Sequence, residues 1–404
     1  MKFWFSCNSC RKKHPFHLTE TKCGCGGTLM VEYDLEKVSQ TLTKESLKSR
    51  GTSMWRYKEL LPVESAHHII SLGEGWTPLV RMKRAEKAFP VKKLWVKREE
   101  QNPTGSFKAR GFSAALSIAN EYGIKKVAVN SNGNAASALA AYASHAEMGA
   151  DVFVPKDCPG LIVEECVQYG ANTYLVDGLI HNAGKIIADG RREQGWHNVG
   201  TLKEPGRAEG KKTMGLELAE QLEWNLPDVI VYPTGGGSGV IGMWNAFKQL
   251  KQLGFIEGDL PRMVSVQESG CQPVVDTCTR GGAFTAQKDN VISSPTGMRV
   301  PSPPDGELIV SILSESDGTA IAVSKDEIKQ AQTSFGKQGI SSSPEGAATW
   351  AGFTRLIEQG WIGKEDEVVL FNTSHAMKYL PWKQHHIPII KTYQDWLNIQ
   401  YAVS

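Results

Sequence analysis

A parallel α/β fold is predicted for this chain of 404 residues. Short apolar runs of strand length alternate with longer helical patterns from Leu94 onward, which is the pattern of a parallel sheet covered by helices. Two of the runs end in polar or glycine-rich turns that lead straight into a helix. The chain is also 41% hydrophobic and 22% charged, ordinary for a globular protein and enough for two or three domains with a sizeable core.

The expected strands are Leu94–Lys97, Lys126–Asn130, Asp151–Pro155, Asn172–Val176, Val229–Tyr232, Arg262–Gln267, Leu308–Leu313 and Glu367–Phe371. Helical patterns lie near 111–122, 134–147 and 161–169. Residues 36–70 are charged and mixed, and read as a crossing between domains. Residues 272–305 are rich in Gly, Pro, Ser and Thr, and read as a long ordered excursion near the functional site. There is no internal repeat and no low-complexity segment.

Charge excludes some partners. The 45 basic and 43 acidic residues leave a net charge of +2, which gives no electrostatic case for nucleic acid or an anionic membrane. No run approaches the ~18 apolar residues of a membrane span. The start, Met1 to Cys7, lacks the longer apolar core of a signal peptide. A cytoplasmic protein acting on a small molecule is the expectation.

Two turns carry the first functional signal. After the apolar run Val127–Asn130 come Ser131, Asn132, Gly133 and Asn134, then an alanine-rich helix. Asn132 or Asn134 could be a plain N-cap. The alternative is a ligand site, because ligands of open α/β sheets sit at the carboxyl ends of strands, and exposed helix-start amides suit a carboxylate or phosphate. After Val229–Pro233 comes Thr234-Gly235-Gly236-Gly237-Ser238-Gly239. That run is too dense in glycine for the dinucleotide spacing G-x-G-x-x-G, and it lacks the Gly-Lys-Ser/Thr of a P-loop. A cup of backbone amides around a single phosphate fits it best.

The second signal is Asn102-Pro103-Thr104-Gly105-Ser106-Phe107-Lys108-Ala109-Arg110-Gly111. It places Lys108 in an apolar, glycine-flanked stretch at a helix start. Desolvation there disfavours the charged amine, and a neutral lysine forms Schiff bases with aldehydes. A solvated loop lysine is the competing reading.

With these segments together, the chain resembles the fold-type II pyridoxal-phosphate enzymes, the tryptophan synthase β-subunit superfamily, and within it the threonine synthases. Ser71 to Val80, Asn102 to Lys108, Glu209 to Thr213 and Phe371 to Lys378 resemble successive family motifs. The similarity runs from about Met1 to Tyr379. It implies two open parallel-sheet domains of three layers each, behind a small N-terminal zinc-ribbon-like segment (1–35). A large cofactor-binding domain (36–99 with 206–404) would face a smaller one (100–205) carrying the Schiff-base lysine. The resemblance further implies that Lys108 holds pyridoxal 5'-phosphate covalently, that Gly235, Gly236, Gly237, Ser238 and Gly239 bind its phosphate, and that Asn134 bonds its phenolic oxygen. Thr373 would face its pyridine nitrogen; a neutral hydroxyl there leaves that nitrogen largely unprotonated. Thr104, Ser131 and Asn132 would lie near the substrate carboxylate. The implied reaction converts O-phosphohomoserine and water to threonine and phosphate, in a homodimer.

Three departures bear on the substrate. The residue after the lysine is Ala109 where an aspartate is usual. Ser374 and Ala376 replace two glycines of the Thr-Gly-His-Gly motif. His145 stands where an arginine near the substrate phosphate is expected, and histidine is a pH-dependent anion partner. These departures keep β-elimination or β-replacement on serine, threonine or phosphoserine open as the alternative reaction. A non-enzymatic binding homologue is the third reading, against which stand the intact lysine and glycine cup.

The cysteines divide into two groups. Cys158, Cys166, Cys271 and Cys278 are scattered and read as incidental thiols. Cys7-x-x-Cys10 and Cys23-x-Cys25 lie a dozen residues apart, which suits a structural zinc; loss of the metal is the alternative, and a disulfide is disfavoured in a reducing compartment. His14 and His17 read as surface residues, as do His385 and His386. Glu345, in the first turn of a helix, is a further site candidate beside its capping role. Arg110 reads as a salt-bridge or anion partner, and Trp76 and Trp350 as core.

Overall fold

The computed structural model describes residues 2–18, 21–178, 180–201, 203–287, 291–292 and 295–379. It begins with a three-stranded antiparallel sheet of order β2-β1-β3, from β1 (Phe3–Cys7), β2 (Lys13–His14) and β3 (Leu29–Tyr33). Two short helices follow, α1 (Leu35–Ser39) and α2 (Lys44–Lys48), each capped at its N-terminus by a side chain, Asp34 and Thr43. The crossing expected at 36–70 is therefore built of short helical turns. Phe3, Phe5 and Val31 of the ribbon pack with Val38, Leu47 and the distant Leu216 and Leu250, so the ribbon shares a core with the main body.

The chain then enters the larger sheet through β4 (Leu79–Arg81), α3 (Lys83–Glu86) and β5 (Lys93–Arg98). It leaves for a second sheet through α4 (Lys108–Glu121), β6 (Lys126–Asn130), α5 (Asn134–His145), β7 (Gly149–Pro155), α6 (Gly160–Gln168), β8 (Asn172–Val176), α7 (Ile180–Gln194) and β9 (His197–Asn198). This sheet is wholly parallel, with order β8-β7-β6-β9. The chain returns by α8 (Gly206–Gln221), β10 (Val229–Pro233), α9 (Ser238–Gln252), β11 (Arg262–Glu268), α10 (Pro273–Arg280), α11 (Gly306–Glu315), β12 (Thr319–Val323), α12 (Lys325–Gly336), α13 (Pro344–Glu358) and β13 (Glu367–Asn372). The larger sheet has order β12-β11-β10-β13-β5-β4, with only β4 antiparallel.

Strand alternation divides the core as the pleat requires. Val229 and Val231 of β10 face Phe335 of α12 and Trp350 and Phe353 of α13. Ile230 and Tyr232 face Met214 of α8, Val240 and Phe247 of α9, and Ile309 of α11. In the smaller sheet Val127, Val129 and Val152 pack under α4 and α5, while Ala128 and Phe153 pack against Ala183 and Ile187 of α7. Each sheet is thus covered on both faces.

One expected strand is a helix. Leu308–Leu313 lies inside α11, because Ile309, Ile312 and Leu313 recur at helical spacing and are all buried. The strand sits ten residues later, as β12. A β-branched run of six residues fits either period, and packing decided it.

Both sheets reverse strand order at an informative place. The chain moves outward from β10 to β11 to β12, then returns to place β13 on the other flank of β10. It moves likewise from β6 to β7 to β8, with β9 on the other flank of β6. Crevices form at the carboxyl ends of strands at such reversals. The residues following β6, β10 and β13 are Ser131, Thr234 and Thr373.

A buried ionic network ties α4 to the larger sheet. Arg110 donates from Nε and Nη2 to Glu99 at 2.7 Å each, and from Nη1 to Glu217 of α8 at 2.8 Å. Lys97 of β5 pairs with Glu217 as well. The arginine expected as a salt-bridge or anion partner is thus fully engaged in salt bridges. α4 and α8 approach closely because a Cβ on Gly210 would lie 2.0 Å from the Arg110 carbonyl oxygen.

Among the described residues no helix is long and apolar enough to cross a membrane.

Candidate active site

The turns after β6, β10 and β13 meet at one cavity with room for about 250 Å³, lined by Lys108, Ser131, Asn132, Asn134, Gly235, Gly236, Gly237, Ser238, Gly239 and Thr373. Thr104, expected near the substrate carboxylate, stands outside the lining. It holds a left-handed backbone (φ 60°), and its Oγ1 is buried without a partner. Such strain in a β-branched residue collects where the surroundings over-determine a loop. Here Asn102 fixes the loop: its amide donates to Glu99 and its Oδ1 accepts from Gly75 N.

Lys108 is the first residue of α4. Its Nζ lies 4.0 Å from the Phe107 ring centroid. The amine is lowered from the usual lysine range to about 7, first by desolvation and then by Arg207, with Glu345 acting in the opposite direction. The solvated loop lysine is therefore not what the fold presents. The backbone beneath it is pinned: Phe107 N donates to the Thr373 carbonyl at 3.0 Å, and His375 N to that of Gly105.

The glycine turn is shaped by close approach. Gly237 has φ +79°, and a Cβ there would meet Ile309 at 2.2 Å. A Cβ on Gly235 would meet the Gly297 carbonyl at 2.5 Å. Ser238 begins α9, so free amides of a long helix open toward the cavity. Asn134 begins α5 on the opposite side.

Several buried polar atoms around the cavity lack hydrogen-bond partners among the described residues: Asn132 Oδ1, Asn134 Oδ1, Thr296 Oγ1 and Glu345 Oε2. Orphaned groups of this kind are expensive unless a ligand completes them. Glu345 lines the cavity, accepts from Gly297 N at 3.0 Å, and burial pushes its carboxyl up. It belongs to the site as well as to its helix.

Some residues escaped sequence reading. Tyr379 reaches the cavity from beyond β13 and its hydroxyl accepts from Asn134 Nδ2 at 2.6 Å. The neighbouring Lys378 bonds the Thr104 carbonyl, Ser137 and Glu165. Thr296, Gly297, Met298, Val300, Ser302 and Pro304, within the excursion 272–305, close one wall. Arg207 and Lys211, two wholly buried basic residues of α8, lie nearby.

His145 is a correction. It is exposed in the last turn of α5, eleven residues from Asn134. That helix length spans roughly 17 Å, so His145 lies far from the cavity and partners no anion there. Trp350 is core, while Trp76 is half-buried with the Arg56 guanidinium 4.2 Å from its ring centroid. His385 and His386 lie outside the described residues.

At the ribbon, Cys7, Cys10, Cys23 and Cys25 gather with all four sulfurs within 4.8 Å of one another. Cys7 and Cys25 sulfurs are 3.5 Å apart, and those of Cys10 and Cys23 3.7 Å. Tetrahedral zinc at about 2.3 Å from each sulfur requires separations of about 3.8 Å, so the set suits such a metal. His14 is half-buried with Nε2 3.4 Å from Cys23 Sγ, which differs from the surface placement expected of it.

Residues 70–374 match the family model of pyridoxal-phosphate dependent enzymes. The chain belongs to that family. It is a threonine synthase-like member and a pyridoxal-phosphate dependent lyase. It is 33% identical over 374 residues to the threonine synthase of Methanocaldococcus jannaschii, covering 92% of each chain. It is 34% identical to that of Methanosarcina acetivorans, covering 88% of this chain and 86% of the other. The fold is shared with a threonine deaminase from T.th. (TM-score 0.63, 24% identity, 76% of this chain and 94% of that one). It is shared too with the diaminopropionate ammonia lyase of Escherichia coli (TM-score 0.65, 17% identity, 77% and 87%). The orphaned polar atoms, the glycine cradle and the low-pKa lysine in one cavity all suit the family's cofactor.

Proposed function

We propose that this enzyme converts O-phosphohomoserine and water to L-threonine and phosphate. The observation that carries the reading is the meeting of Lys108, the glycine cup and the asparagine turn at one cavity, in a chain alike over nine-tenths of its length to a threonine synthase. Bound pyridoxal 5'-phosphate supplies an electron sink for carbanion chemistry. Lys108 would hold it covalently, and Gly235, Gly236, Gly237, Ser238 and Gly239 would cradle its phosphate. Asn134 would bond its phenolic oxygen, and Thr373 would offer a neutral hydroxyl to its pyridine nitrogen. Ser131 and Asn132 would orient the substrate carboxylate. Lys108 Nζ would take the α-proton of the bound substrate; an amine lowered to about 7 is poised for that transfer and its return.

The division into a large domain (36–99 with 206–404) and a smaller one (100–205) belongs to the same proposal, with closure of the smaller domain excluding water until it is needed. So do zinc at Cys7, Cys10, Cys23 and Cys25, a cytoplasmic location and a homodimer; light scattering of the purified protein tests the last.

The test is a substrate panel. Phosphohomoserine yielding equal threonine and phosphate supports the proposal; saturating phosphohomoserine without threonine rejects it. The second reading, β-elimination or β-replacement, rests on Ser374, which lines the cavity and donates to Ser343 at 2.7 Å where the family motif has glycine. Keto acid from serine, threonine or phosphoserine in the same panel would favour it.

A further inference from the structure

Fully buried cations in this protein mostly have a carboxylate. Arg110 has Glu99 and Glu217, Lys97 has Glu217, and Lys212 has Glu209. Lys211 and Arg207, both wholly buried on α8, are different. Among the described residues no carboxylate pairs with Lys211, and its Nζ donates at 2.7 Å to the neutral hydroxyl of Ser238. Arg207 lies over the Phe112 ring at 3.9 Å, gives Nη1 to the Val199 carbonyl, and leaves Nε and Nη2 without a hydrogen-bond partner among the described residues. The nearby acid, Glu204, spends its oxygens on the backbone amides of Gly206 and Arg207.

The two cations are four residues apart, on one face of α8, where like charges repel. Burying an unpaired charge is costly enough that the group normally neutralises or finds a partner. Burial, together with Arg207 and Lys108, holds the Lys211 amine well below its usual range. The hydroxyl that Lys211 reaches begins α9 and lines the cavity beside the glycine cup.

We propose that Lys211 is the buried counter-charge of the cofactor phosphate, acting on it through Ser238. The glycine amides and the start of α9 give the phosphate neutral donors; Lys211 gives it the positive charge the cup itself lacks. Binding the dianion restores the proton on Lys211 and removes the cost of leaving that amine unpaired. The proposal rests on the glycine cup being the phosphate site.

Full-length protein freed of cofactor with hydroxylamine is titrated with pyridoxal 5'-phosphate, and separately with pyridoxal, for wild type and Lys211→Gln. Loss of one charge-assisted bond predicts pyridoxal-phosphate affinity down about tenfold to a hundredfold, with pyridoxal affinity unchanged. The cofactor-free melting temperature holds or rises, since the variant removes a buried amine that no carboxylate pairs. Adding inorganic phosphate with pyridoxal improves pyridoxal binding in wild type and less in the variant. Equal weakening for both ligands, or a cofactor-free protein that melts several degrees lower, makes Lys211 merely structural and overturns the proposal. Wild type that binds pyridoxal as tightly as its phosphate overturns the cup as well. If Lys211→Gln does not fold, Lys211→Met in the same titrations decides between these outcomes.

Discussion

Lys108 in the cofactor-free protein should react with aldehydes at neutral pH, where ordinary lysines do not. An exposed lysine with a pKa near 10.4 is neutral in only about one molecule in 2,500 at pH 7. Lys108, at about 7, is neutral in about half. Its reactive fraction is therefore roughly a thousandfold larger. The cause is burial first and Arg207 second, with Glu345 opposing. The assay is a short exposure of cofactor-free protein to pyridoxal phosphate from pH 5 to 10, reduction with borohydride, and peptide mass mapping. The adduct on position 108 should rise with a midpoint near pH 7. A midpoint near 10, or adducts spread over surface lysines at pH 7, would refute the reasoning. Linkage adds a second reading. Lys108 has a folded pKa below its unfolded one, so the unfolded chain binds more protons between about 7 and 10. Stability of the cofactor-free protein rises with pH across that window, and Lys108→Met removes that share of the rise. Lys211 is shifted the same way, so some slope persists in the variant.

Three further outcomes are expected. Gly237→Ala forces a side chain into the left-handed region and into Ile309; spectroscopic titration should show pyridoxal-phosphate affinity falling about fivefold to a hundredfold, matching roughly the 1–3 kcal/mol of such backbone strain. Glu217→Ala leaves both Lys97 and Arg110 short of a carboxylate in the core, and denaturant unfolding should lose about 3–5 kcal/mol. Protein grown with zinc should release about one zinc per chain when a thiol reagent modifies the four ribbon cysteines, read with a metal indicator; purified protein free of metal, and no better folded when zinc is added, would leave the cluster as plain thiols.

Much of the fold could be read from period alone. The strands at 126–130, 151–155, 229–232, 262–267 and 367–371 needed only apolar runs bounded by turns, since strands buried on both faces carry no polar alternation to confuse them, and those at 94–97 and 172–176, the second a largely exposed edge strand, were legible as well. The failure at 308–313 has the same root. Where β-branched residues fill a buried amphipathic helix, a six-residue window does not separate the periods. Thr319–Val323 was missed because two alanines in five residues dilute its strand signal.

The cavity was legible where chemistry is carried by neighbours in sequence, and illegible where it is assembled across elements. Glycines that must turn, asparagines at a helix start and a lysine in an apolar loop announce themselves locally. His145 misled because a motif position was followed along a helix without asking which end the helix turns to the cavity. The basic groups near the cavity are instead on α8, at Arg207 and Lys211. In sequence they resemble any solvated i, i+4 basic pair on a helix surface. Their meaning comes only from burial beneath α4 and α9, with the available carboxylates already committed to Lys97, Arg110 and Lys212. A basic pair that packing has stripped of water and of counter-ions is an incomplete structure until an anion arrives, and the cavity wall at Ser238 is where the anion must come.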